Sequence, residues 1–451
     1  PPKQVIEACR RMGILVVEEA YDGWGKTKAT YDFGHFFMKE VPSDWAGLKA
    51  NGMIEVPNPG IDYDGVKYTW SDWVIQEMIG RDKNEPSIFA WSIGNEVRGV
   101  GNKPSWYDTS QYDPLGVKPG NINEYTEAVR LLADVDAADS TRYVVMGGDQ
   151  ERSVPSATES VWGQINQVLD GYGLNYNTAK SVDGLIDRFT IGDGTLYENG
   201  NNAFFFESES SSQTSSRGVY LDADLTNTGI NETPGRRGGS NYDNDFASWT
   251  MSNEYGLKKD RDRKSFIGQF IWTGFDYLGE PTPYSVYPVG VASFGTIDTA
   301  GFPKDSFYLY QSQWVKDPMV HLLPTNWDEW REGETVDVWV NANVQTAELF
   351  LNGKSLGKRS FDKKTTAYGK EYLETSERTV DDKTWGDSSN PGGYTSEGAV
   401  VEEGSTNYGK LHLSWKVPYE EGTLEVKAYD ENGDVVATDS VTTSKTPYTI
   451  K

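Results

Sequence analysis

Cysteine is all but missing from the 451 residues: Cys9 stands alone, so no disulfide can form within the chain, and redox chemistry assigns no compartment. Cys9 belongs to the series Val5, Cys9, Met12, whose spacing fits one helix face and predicts a buried structural thiol rather than a nucleophile. Histidine is scarce too. His35, His321 and His412 are scattered, with no HExxH pair and no Cys/His ligand spacing, which argues against a structural zinc site. No apolar run is long enough to cross a bilayer, so no membrane partner is expected. Positive charge is in deficit: 42 Lys and Arg face 68 Asp and Glu, giving a formal net charge of −26. Such a surface repels phosphate backbones, which excludes nucleic acid as an expected partner and leaves neutral or cationic ligands. The glycine-rich turns that cradle phosphates, G-x-G-x-x-G and the P-loop, are also absent.

Aromatic residues, in contrast, reach 13%, and many stand beside Asn, Asp and Glu. Sugar sites use that mixture, because apolar sugar faces stack on rings while hydroxyls need polar partners. Any single ring is more simply explained as core.

The chain opens with a helix-spaced segment that runs to Met12, is stopped by Gly13, and feeds the apolar run Ile14–Val17 and then Glu18 and Glu19. The unit recurs. Helical Trp70–Ile79 precedes strand Ile88–Ile93, and helical Glu124–Val135 precedes strand Tyr143–Met146. Further strands are expected at Gly171–Tyr176, Ala203–Phe206 and Phe266–Trp272, the last preceded by a helix over Phe246–Leu257. Helices alternating with short continuous apolar strands predict a parallel α/β sheet, open or closed into a barrel. Each strand ends in polar residues: Glu18-Glu19, Asn95-Glu96, Gly147-Gly148, Asn175-Tyr176-Asn177, Glu207-Ser208-Glu209 and the residues after Trp272 up to Asp276. Carboxylates and amides at successive strand ends are what the active-site face of a (β/α)₈ barrel requires, so the barrel is preferred. Six strands are countable where such a barrel has eight. Pro1-Pro2 lead straight into a helix, so the expectation is an α/β TIM barrel incomplete at its N-terminus, in a piece of a longer polypeptide.

After Trp314 the texture changes to alternation: Val336, Val338, Val340; Leu349, Leu351; Leu411, Leu413, Trp415; Leu424, Val426, Ala428. With Asn352-Gly353 and Asn432-Gly433 as turns, this reads as antiparallel hairpins of an all-β immunoglobulin-like sandwich. The expected domains are therefore a barrel over 1–317 and a sandwich over 318–451, with a long polar surface insertion near 363–410.

Two strand ends carry the chemistry. Ile88-Phe89-Ala90-Trp91-Ser92-Ile93-Gly94-Asn95-Glu96 delivers an Asn-Glu pair. Glycoside hydrolysis needs a carboxylic acid to protonate the leaving oxygen, and an adjacent amide can hold a sugar hydroxyl. A retaining enzyme needs a second carboxylate about 5–5.5 Å from the first, supplied by another strand. Ala203-Phe204-Phe205-Phe206-Glu207-Ser208-Glu209 offers two. Being two apart on a strand, Glu207 and Glu209 share a face, and periodicity does not choose between them.

IFAWSIGNE, FFFESESSSQTSSRGVY, FIWTGFDYLGEPTPY and GTIDTAGFPKDSFYLYQSQW together resemble the β-galactosidases of glycoside hydrolase family 2, over most of the chain. The resemblance implies Glu96 as acid/base, and it places the nucleophile at Glu209 in the Ser-Glu context before SSRGVY, although Glu207 stands where relatives often have glycine. It further implies Asn95, Tyr176 and Trp272 as substrate-binding residues, with Tyr176 bonding the nucleophile and Trp272 forming a sugar platform. GILVVEEAYDGW resembles the family's third barrel strand, and the family places sugar-binding jelly-roll and immunoglobulin-like domains before the barrel. Those N-terminal domains of the same polypeptide and a homo-oligomer are the partner expectations, besides a β-galactoside glycan. Some relatives use magnesium near the acid/base, but no matching ligand motif follows Glu19, so no metal and no cofactor is expected. The reaction implied is retaining exo-hydrolysis of terminal β-galactosides. Its rivals are a β-glucuronidase, disfavoured by the lack of an obvious Asn-x-Lys motif of the glucuronidase kind, a β-mannosidase, and a carbohydrate-binding protein that does not catalyse.

Overall fold

The computed structural model describes residues 1–26, 33–41, 68–106, 112–117, 122–149, 161–176, 190–191, 194–195, 204–220, 239–243, 246–247, 249–263, 266–279, 290–328, 330–377 and 409–444. They divide into two compact units within one strand: the first holds the described residues up to Ser208 together with Ile267–Gln269, and the second holds those from Glu209 onward.

All six expected strands form: β1 (Val16–Glu19), β2 (Ile88–Asn95), β3 (Tyr143–Gly148), β4 (Gly171–Asn175), β5 (Phe204–Ser211) and β6 (Phe266–Trp272). They lie in one sheet in sequence order, and β1 to β4 pair parallel. This is the order of a (β/α)₈ barrel wall. Helix α1 (Lys3–Met12) precedes β1, and α2 (Trp70–Asp82), α3 (Ile122–Ala138) and α4 (Val161–Asn166) fall between the strands that follow. Their apolar stripes explain the packing: Ile6, Ile75, Ile79, Leu131 and Val135 bury against Trp91, Ile93, Val144 and Met146 of the sheet. The alternate residues Ala90, Val145, Phe204 and Phe206 make a separate cluster. Both faces being covered, the strands read as unbroken apolar runs rather than as alternation.

Local signals set the ends of the helices. Thr69 caps α2 through a reciprocal bond with Asp72, and Gly13 closes α1 at φ 72°, a left-handed conformation in which glycine carries no Cβ penalty. Helix α1 turns Ile6 inward, leaving Val5 and Met12 exposed and Cys9 only half-buried, so the expected burial of the thiol is corrected. The helix expected over Phe246–Leu257 is shorter: α5 spans Asn253–Lys258, because Phe246 bridges to Gln213 and Ser252 supplies the cap that starts the helix.

In the second unit, α6 (Asp305–Trp314) precedes a mostly β region. One sheet has three strands, β7 (Val320–Leu323), β8 (Thr335–Ala342) and β13 (His412–Pro418). The other has four, in the order β10 (Lys354–Ser360), β9 (Thr346–Leu351), β14 (Thr423–Tyr429) and β15 (Val435–Thr442). Val336, Val338 and Val340 of the first sheet share a core with Leu349, Leu351, Leu424 and Val426 of the second. Each such side chain contributes roughly 1.5–3 kcal/mol on burial. The polar stretch expected as an insertion begins as a hairpin, β11 (Asp362–Thr365) paired with β12 (Glu371–Glu374), while 378–408 lies outside the described residues.

Candidate active site

The C-terminal end of β2 is built to present Asn95 and Glu96. Gly94 is required there: a Cβ would stand 2.7 Å from Trp24 Nε1, which donates to the Ile93 carbonyl at 2.8 Å. Ser92 Oγ donates to Glu19 across the neighbouring strand end at 2.9 Å. The chain then turns sharply. Glu96 has φ 44°, and its backbone N–H donates to the Gly147 carbonyl at 2.9 Å. Tyr176 makes the same kind of turn at the end of β4, with φ 51°, and is buried. Left-handed backbone at a residue other than glycine costs energy and recurs at functional sites.

Side chains from four strand ends meet in the first unit. Asn175 Nδ2 donates to Asn95 Oδ1 at 2.7 Å and to Glu96 Oε1 at 3.2 Å, while its Oδ1 accepts from Ser208 Oγ at 2.6 Å. Asn95 Nδ2 in turn donates to Asp22 Oδ1 at 3.0 Å. Glu96 is part-exposed, and its Oε2 lies 3.7 Å from Arg98, whose guanidinium is gripped by Asp149 at 3.0 and 2.7 Å. Of the expected site residues, the first unit thus brings Asn95 and Glu96 together and places Tyr176 on the same row of strand ends. The strand-end reading singled out neither Asp22, Arg98, Asp149 nor Ser208 as a site residue, and it passed over Asn175 as a mere strand terminus. The signal that marks Asn175 and Ser208 was their position at strand ends.

Glu209 and Trp272 belong to the second unit. Along β5, Glu207 is fully buried whereas Glu209 keeps part of its surface. Trp272 ends β6 about one-third exposed, its ring edge-on to Tyr277 with centroids 6.1 Å apart. Beyond these two strands, three of the sequence stretches quoted above converge on one ammonium group. Lys304 Nζ, fully enclosed, donates to Asp276 Oδ1 at 2.7 Å, to the Ser215 carbonyl at 2.7 Å and to the Ser293 carbonyl at 3.0 Å. Burial lowers the lysine's pKa and raises that of Asp276. Alongside, Arg217 pairs with Asp298 at 2.6 Å and lies over the Phe302 ring at 4.8 Å. Asp243, part-buried, accepts from the backbone of Asn253 and Glu254 at the start of α5, and desolvation of its carboxyl pushes the pKa up to about 7. Among the described residues no three His, Cys, Asp or Glu side chains gather closely enough to hold a metal ion.

Residues 2–162 match the family described as glycosyl hydrolases family 2, TIM barrel domain, and a β-galactosidase of Bacteroides ovatus is 29% identical across the whole chain. The chain carries a barrel domain of glycoside hydrolase family 2 over residues 2–162. Residues 333–376 and 377–437 match a domain of unknown function, DUF4982. A putative β-glucuronidase of Formosa agariphila is 28% identical, again over all of the chain. The chain spans 44% and 34% of the length of these two curated relatives. Among solved structures, a β-glycosidase from Bacteroides vulgatus superimposes with a TM-score of 0.61 at 24% identity, covering 99% of this chain and 44% of that one, a likeness of fold.

Proposed function

We propose that the chain is part of a family 2 glycoside hydrolase, a retaining exo-β-glycosidase that removes terminal β-galactosyl residues from glycans. The observation that carries the reading is the pair at the end of β2, Asn95 and Glu96, held in a bonded set drawn from neighbouring strand ends. Glu209 attacks the anomeric carbon as the bond to the leaving oxygen breaks, and Glu96 delivers its proton to that oxygen. Glu96, now a carboxylate, takes a proton from water; the water oxygen attacks the same carbon and releases Glu209. Two inversions leave the configuration unchanged. Burial supports Glu209 over Glu207, since a sugar must reach its nucleophile and Glu207 has no exposed surface. Asn95 would hold a sugar hydroxyl, Tyr176 would orient Glu209, and Trp272 would offer its partly exposed ring as a platform.

The relatives' names divide between galactosides and glucuronides, so the preference for galactose rests on this chain. Its one Asn-x-Lys, Asn352-Gly353-Lys354, is the turn between β9 and β10, with φ of 52° and 77° at its first two residues. Its amide is engaged by Glu420, Glu421 and Thr423. That leaves it no role as a carboxylate clamp.

Assay of the natural full-length protein on nitrophenyl β-galactoside, β-glucuronide and β-mannoside, with proton NMR of the first sugar released, tests the proposal. Fastest turnover of the galactoside with β-galactose appearing first is expected. Faster glucuronide or mannoside turnover would reassign the substrate, α-galactose first would exclude retention, and inertness toward all three would favour the binding reading.

A further inference from the structure

Asn175 is fully buried and uses its entire amide. One N–H meets Asn95 Oδ1, the other meets Glu96 Oε1, and the carbonyl oxygen receives the Ser208 hydroxyl. The bonds run in one direction, from the hydroxyl on β5 through the amides of β4 and β2 to the carboxylates of Glu96 and Asp22. Each donor polarises the next, so the set is stiffer than its members taken singly.

The sheet has been cleared to let these side chains meet. Asn95 on β2 is in register with Gly147 on β3, and Gly147 with Gly173 on β4. A Cβ on Gly147 would lie 2.9 Å from Asn95 Oδ1, 3.0 Å from Ser208 Oγ and 3.3 Å from Asn175 Oδ1. One on Gly173 would lie 2.8 Å from Ser208 Oγ and 2.6 Å from the Met146 carbonyl. The two glycines have negative φ, so the conformation does not demand them; the space does.

We propose that Asn175 is the positioning residue of the acid/base, and that it determines which oxygen of Glu96 carries the proton. This rests on the reading of Glu96 as acid/base. An amide N–H needs a lone pair to donate to, and it is already committed to Oε1. The exchangeable proton of Glu96 is therefore kept on Oε2, and the carboxyl plane is fixed while the proton leaves and returns. Ser208 fixes the amide in turn, because its hydroxyl holds the carbonyl side of Asn175 away from Glu96. A carboxyl free to rotate would present the proton in the wrong direction for part of the time, and a misplacement of about 1 Å can cost on the order of 10²-fold in rate.

The test compares wild type, Asn175→Ala and Ser208→Ala of the natural full-length protein on aryl and alkyl β-galactosides of graded leaving-group ability, measuring the pre-steady-state release of the aglycone. For poor leaving groups, which need the proton, kcat of Asn175→Ala should fall by about 10²-fold, with KM changed little. For dinitrophenyl galactoside, which departs without protonation, the release step should stay within a few-fold of wild type. Ser208→Ala should move the same dependence in the same direction by less, and it carries the test if Asn175→Ala does not fold. A loss equal across all leaving groups, or confined to KM, overturns the proposal. Wild-type inertness on every galactoside overturns the hydrolase reading itself, and the role of Asn175 with it.

Discussion

Lys304 Nζ sits 2.7 Å from Asp276 Oδ1, the ammonium fully enclosed and the carboxylate largely so, and two backbone carbonyls complete the shell of the ammonium. The pair ties the start of α6 to the loop that follows β6. Removing one partner leaves the other as an uncompensated buried charge, which typically costs about 3–5 kcal/mol. Lys304→Met should therefore lower stability by that order in urea unfolding. The double variant Lys304→Met with Asp276→Asn should recover part of the loss, since it leaves no charge behind.

Glu209→Gln should reduce turnover of nitrophenyl galactoside roughly 10⁴-fold or more, the scale on which loss of a nucleophile acts in other enzymes. Glu207→Gln, at a position with no exposed surface, should act mainly on stability and leave far more activity. Comparable residual rates in the two variants would reverse the assignment along β5.

Stability of the second unit should decline above neutral pH. His321 lies between Asp305 at 2.6 Å and Asp439 at 3.4 Å. Burial opposes its charge, but the hydrogen bonds and attraction of the two carboxylates prevail and raise its pKa. A histidine held charged contributes fully below its unfolded value of about 6.5, and the contribution is lost as pH rises through the higher folded value. Asp243, pushed up to about 7 by burial, acts in the same sense, because the folded state keeps a proton that the unfolded chain has already released. The thermal midpoint should be lower at pH 8 than at pH 6, and His321→Gln should shrink that difference. An equal difference in the variant would assign the effect elsewhere.

The turn Asn352-Gly353-Lys354 separates structure from specificity. Asn352 holds a left-handed backbone at φ 52°, and its side chain joins Glu420, Glu421 and Thr423. Asn352→Ala should cost about 1–3 kcal/mol through strain and lost bonds. Lys354→Ala, on an exposed position, should stay within about 0.5 kcal/mol and leave the ratio of galactoside to glucuronide turnover unchanged. A fall in glucuronide turnover alone would tie Lys354 to substrate choice.

What the sequence discloses follows from how far apart the interacting residues are. The barrel strands were readable because burial on both faces makes each an apolar run, and the sandwich because Val336, Val338 and Val340 alternate with outward residues. The hairpin of β11 and β12 was not, since its apolar residues Tyr372 and Leu373 are adjacent and the rest is mostly Lys, Asp and Glu, so no alternation shows. Phe246 and Trp249 have helical spacing, yet Phe246 and Ala247 are occupied by pairing with Gln213 and Ser212, a contact their own neighbourhood does not announce. The bonds of Asn175 reach back 80 residues to Asn95 and forward 33 to Ser208. Only the folded sheet brings such groups together, and glycines 147 and 173 acquire their meaning from that meeting. Strand periodicity put Glu207 and Glu209 on one face; depth along β5, which periodicity does not encode, sets them apart.

Both protons of the Asn175 side-chain amide are donated, and the group is shut off from solvent. Exchange with deuterated water then requires the sheet ends to open, so this nitrogen should keep its protons long after surface asparagines have lost theirs. A single slowly fading pair of resonances would report, without any sugar present, whether the strand ends are assembled.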